Sequence, residues 1–129
     1  NAATTAVTID LPAAALITNV GLVFPNLIDV GAAGTVSFKV GTASLGDEIC
    51  ANKQINNTSD IVAGAATSVN SGNLVQASGN ALTFANAAVL YSADARTIHG
   101  TYTVGGNNLV EATGAIFFVQ YSRLLFNFV

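Results

Sequence analysis

Few side chains in this sequence could do chemistry, and they do not form a recognisable set. His99 is the only histidine. A Ser–His–Asp triad would have to combine His99 and Asp94 with a serine, and no serine sits in a Gly-x-Ser-x-Gly turn. His99 also falls in step with Thr97, Thr101 and Thr103, the pattern of one polar strand face. A Cys50–His99 pair is equally unspecific, and Cys50 reads as a small buried hydrophobe at the end of a short apolar stretch. As the only cysteine it has no intramolecular disulfide partner. Asp47 and Glu48 are adjacent, so in a strand their carboxylates would point to opposite faces. In a loop they could join backbone carbonyls around calcium. The simpler expectation is solvated turn charges. No Cys/His cluster has zinc spacing, and no glycine-rich segment has the phosphate-cradling pattern before a helix. These residues predict no enzyme, no cofactor and no metal.

The elements that would position them read as strands. Val7, Ile9 and Leu11 alternate with Thr8 and Asp10 until Pro12 ends the run. Ala13 to Ala15 is too short to nucleate a helix. Leu16 to Phe24 is apolar almost throughout, which predicts a buried or interfacial strand, and Pro25-Asn26 breaks it. After a turn at Gly31 to Gly34, Val36, Phe38 and Val40 face one way and Thr35, Ser37 and Lys39 the other. Glu48 to Ala51 reads as a short strand. From Asn52 to Asn80 the pattern weakens into turn clusters, among them Asn56-Asn57 and Ser71 to Asn73. It returns at Ala81 to Phe84, at Val89 to Ser92, and in the alternation from Arg96 to Val104. Gly105-Gly106-Asn107-Asn108 reads as a hairpin before a last strand from about Thr113 to Tyr121.

About eight strands at this spacing, without a helix, predict an antiparallel β-sandwich of jelly-roll type, with an immunoglobulin-like sandwich as the alternative. A chain of 129 residues makes one such domain. Residues 6–129 are assigned to it, and 1–5 are expected to form a loose N-terminal arm with no large apolar side chain.

Composition bears on what the domain does. The chain has four Lys/Arg and seven Asp/Glu, 9% charged against about 25% in an ordinary domain. Mean hydropathy is +0.55. Charge keeps free proteins apart, so a surface this neutral favours association. The net charge is −3, and the four basic residues are scattered singly, which speaks against nucleic acid. No apolar run approaches the ~18 residues of a helical membrane span, so no membrane partner is expected. No segment has the flank and core of a signal peptide.

The C-terminal thirteen residues hold Phe117, Phe118, Tyr121, Leu124, Leu125, Phe126, Phe128 and Val129. A small core cannot readily hide both faces of such a segment. Continuing the last strand would put Phe126 and Phe128 on one face. Tyr121, Leu125, Phe126, Phe128 and Val129 are therefore the candidate interface residues.

Four stretches carry a resemblance. They are Val7-Thr8-Ile9-Asp10-Leu11-Pro12 with Ile17-Thr18-Asn19-Val20-Gly21; Val36-Ser37-Phe38-Lys39-Val40-Gly41-Thr42-Ala43 with Asp47-Glu48-Ile49-Cys50; Ala95-Arg96-Thr97-Ile98-His99; and Thr113-Gly114 with Phe117-Phe118-Val119-Gln120-Tyr121. In this order they resemble small virion structural proteins of tailed phages, marine and cyanobacterial ones in particular. The resemblance covers most of the chain except Ala51 to Asn80, and it lies in strand-and-turn patterns with no active-site signature. It implies a non-enzymatic capsid decoration (cement) protein on the virion surface, often a homotrimer, partnered by the major capsid protein. The rival expectation is a tail-fibre module that binds a receptor or carbohydrate. That would need an aromatic platform, and the chain has three tyrosines and no tryptophan.

Overall fold

In this computed structural model, residues 3–31, 33–70, 72–75, 81–105 and 114–123 are described. Alternation and turn residues produce nine strands among these residues. They are β1 (Ala3–Leu11), β2 (Ala15–Phe24), β3 (Thr35–Gly41), β4 (Cys50–Gln54), β5 (Ala65–Ser68), β6 (Gly72–Val75), β7 (Tyr91–Ser92), β8 (Arg96–Gly105) and β9 (Ile116–Arg123). A single 3₁₀ turn, Ala87–Val89, is capped by the Asn86 side chain.

The strands form an all-β antiparallel sandwich. One sheet has the order β1-β8-β3-β4. In the other, β2 is central. β9 runs along one edge of β2 from Ala15 to Val23. A strand has only two edges, so β5 at Gly21–Phe24 and β7 at Ala15–Leu16 share the other edge, with β6 beyond β5. The fold is jelly-roll-like in that the chain passes back and forth between facing sheets and places β1 beside the late strand β8. In the immunoglobulin arrangement the last two strands share a sheet; here β8 and β9 lie in different ones.

The core follows the alternation. Val36, Phe38 and Val40 of β3 are buried, and so are Ile98 and Val104 of β8. Leu22 and Phe24 of β2 meet them from the opposite sheet. β2 keeps Ile17 and Val20 both in the core, three residues apart, because a bulge at Thr18 shifts the register against β9. On the outer face of β2, Asn19 is buried. It donates to Gln120 Oε1 (3.1 Å) and accepts the Asn70 N–H (2.9 Å). Gly21 is required there, since a Cβ would meet the Thr67 carbonyl oxygen and lie 2.7 Å from the Phe118 ring.

Several expectations need correction. Ala3, Thr4 and Thr5 belong to β1, paired with Val104, Thr103 and Tyr102, so the arm is strand from Ala3 onward. Small Thr and Ala side chains hid this, because they give no apolar alternation. The strand expected at Glu48 to Ala51 begins only at Cys50, because Glu48 turns back to cap Thr42. Gly72 and Asn73 are strand. Ala81 to Phe84 contributes only a bridge from Phe84 to Cys50, and Val89 belongs to the 3₁₀ turn. The expected hairpin after Gly105 is instead a crossing between sheets, since β8 pairs with β1 and β3 while β9 pairs with β2. Residues 106–113 of that crossing lie outside the described part.

Candidate functional site

The side chains considered for chemistry are kept apart. Gly41 pairs with His99 and Val40 with Cys50, so β3 separates the two. Neighbouring residues of one strand face opposite ways, which puts Cys50 in the core and His99 on the outer face of the same sheet. Cys50 is fully buried, and burial pushes its thiol up to about 11. Thiol chemistry needs the thiolate. Folded protein at about pH 8 is accordingly expected to resist a thiol-specific disulfide reagent that labels it at once in urea. Rapid labelling of the folded form would show that β4 opens locally.

Glu48 accepts hydrogen bonds from the Thr42 N–H (3.1 Å) and the Thr42 hydroxyl (3.2 Å). The backbone bond from Thr42 is the main reason its carboxyl is held below the usual range. Its oxygens therefore serve the β3–β4 turn. Among the described residues no three His, Cys, Asp or Glu side chains are grouped to hold a metal ion. No helix among them is long and apolar enough to cross a membrane. Arg96 is anchored on backbone, donating to the carbonyls of Val89 and Leu90 (2.9 Å to Leu90).

Of the candidate interface residues, Tyr121 is on β9 and exposed. Leu125, Phe126, Phe128 and Val129 lie outside the described residues. Tyr91 is exposed on β7, opposite Leu16, while Tyr121 is opposite Ile17. Consecutive positions of β2 face opposite ways, so the two rings do not share a face. Tyr102 is buried. The three tyrosines form no common platform.

A cleft of about 160 Å³ lies between the sheets, lined from β1 and β9 among other strands. Sequence reasoning did not anticipate it. Val7 alternates with Ile9 and Leu11 as an inward residue should, and Leu11 is 3% exposed. Val7 nevertheless remains 45% exposed, because it looks into the cleft. Leu22, Phe38 and Phe117 line the inner part. The Phe38 and Phe117 rings meet edge to face, with centroids 5.5 Å apart. Gly100 leaves room for the Phe117 ring, which would lie 2.8 Å from a Cβ there. Tyr102 lines the same cleft, and its buried hydroxyl has no hydrogen-bond partner among the described residues. Burial pushes that hydroxyl up to about 12. It stays protonated near neutrality and cannot act as a base.

Fold and cleft together define an antiparallel β-sandwich with an apolar, side-chain-sized opening between its sheets. No protein-family model, curated protein or solved structure matches the chain.

Proposed function

We propose that this chain is a structural assembly protein, a capsid decoration (cement) protein that binds the outside of a phage shell and stabilises contacts between capsomers. The observation that carries the assembly part is the charge-poor sequence together with the edge of β1, which the described residues pair on one side only. Proteins usually block a free strand edge with Lys, Pro or a bulge. β1 presents nine residues, Ala3–Leu11, with Asp10 as their only charge and with a β8 pairing on one side. The phage and capsid part is supported by the sequence resemblance.

The mechanism is mechanical. Each bound copy buries apolar surface across a junction that internal DNA pressure would open. A homotrimer gains further through its second and third contacts, since linked weak contacts can exceed a single one by about 10²–10⁴-fold. Sedimentation at micromolar concentration is expected to show a trimer, and a density map of the intact virion is expected to show the sandwich on the outer shell. A stable monomer that binds no particle would overturn the reading. The tail-fibre alternative would need an aromatic platform for a sugar, and the three tyrosines do not form one.

A further inference from the structure

We infer that the cleft between β1 and β9 is a socket for a phenylalanine ring from residues 124–129 of a second copy, with the incoming segment laid along the edge of β1 that lies away from β8. This rests on the assembly reading above and names its receiving site.

Size limits the occupant. An apolar cavity of about 150 Å³ holds one benzene ring, and this cleft of about 160 Å³ is likewise too small for a nucleotide or a sugar chain. Its lining is apolar apart from Thr5 and Tyr102 and carries no charge. The open position of Val7 shows that the sandwich is not closed at this corner. An extended segment brings backbone groups for the edge of β1 together with a side chain for the cleft. Strand addition at an edge combines these two kinds of contact.

The sequence after Arg123, Leu-Leu-Phe-Asn-Phe-Val, is uncharged and supplies two rings two residues apart. Reach decides whose segment it is. Phe117 is the cleft residue of β9 nearest to Arg123, which lies at the other end of the strand opposite Ala15. Six residues of strand separate them by about 20 Å. Phe128 is five residues beyond Arg123, about 17 Å at full extension, and a turn back toward the cleft would use up part of that length. The segment therefore reaches a neighbour's cleft and not its own. Such a contact is head-to-tail, and three of them can close a ring.

Complementation tests this with full-length chains. Phe126→Ser combined with Phe128→Ser removes the donor and leaves the cleft intact. Val7→Lys places a charge in the cleft and leaves the donor intact, and Thr5→Lys is a second acceptor variant in case Val7→Lys melts early. Each variant alone is expected to self-associate at least about tenfold more weakly, as the loss of one buried ring implies. Mixing a donor variant with an acceptor variant is expected to restore one contact and stop at a 1:1 pair. Folded variants that assemble like wild type, or a mixture that restores no pair, would overturn the socket while leaving assembly standing. A wild-type chain that stays monomeric would remove the socket and the homotrimer, and one that also binds no particle would remove the assembly reading.

Discussion

Replacing Asn56 by alanine is expected to cost about 3–5 kcal/mol, since each buried hydrogen-bonding group left unsatisfied costs about 1–3 kcal/mol. Asn56 is 1% exposed. Its Oδ1 accepts the Val36 N–H at 2.7 Å, and its Nδ2 donates to the carbonyls of Gly34 (3.0 Å) and Ser59 (2.9 Å). One side chain thus fastens the entry of β3 to the loop after β4. The same loop holds Thr58 at φ 54, a left-handed conformation that a β-branched residue adopts only when its surroundings enforce it. Alanine leaves three backbone groups without partners and releases that turn. The whole stability of such a domain is about 5–15 kcal/mol, so the midpoint of thermal unfolding should fall by roughly 10–20 °C. Asn56→Asp separates geometry from chemistry. It keeps the acceptor for Val36 but sets a carboxylate oxygen against two carbonyls, so at neutral pH it should be at least as damaging as alanine. Urea unfolding of both variants measures this, and an Asn56→Asp protein as stable as wild type would show that the clamp carries little.

Asn56 also shows where the sequence stops being legible. Asn56-Asn57 reads as a turn, and the loop is there, but no local pattern marks which asparagine is buried. Its partners Gly34 and Val36 lie about twenty residues upstream. The strands that alternate strictly, such as β3 and most of β8, were legible because a period of two needs only local information. The start of β1 was missed because Thr and Ala carry no apolar signal. The bulge at Thr18 and the crossing after Gly105 were missed because both depend on which strand is the partner. The cleft was half legible. Alternation shows that Val7 points inward, but only the relative position of the two sheets shows that little lies opposite it. The interface proposed for Phe126 and Phe128 rests on sequence and on reach, while Tyr121 alone among those candidates has a described position.

The second large effect concerns the floor of the cleft, and its sign depends on the background. Phe117→Ala removes a partly buried ring that packs on Phe38 and should cost about 3 kcal/mol, the lower end for Phe→Ala. Gly100→Ala alone puts a methyl 2.8 Å from the Phe117 ring. Overpacking of this kind costs about 1–3 kcal/mol. With Phe117 already alanine, the obstruction is gone, and Gly100→Ala should become neutral or gain about 0.5–1 kcal/mol from the loss of glycine's conformational freedom in a strand. The coupling expected from the double-mutant cycle is therefore about 2 kcal/mol, well above the scatter of independent sites. Chemical denaturation of wild type, the two single variants and the double variant measures it. Strict additivity would mean that the ring moves aside at little cost. The floor would then be soft, and the cleft could not select one phenyl ring by shape. Strong coupling would show a rigid floor fixed by Gly100, Phe38 and Phe117, which is what a socket of one ring's volume requires.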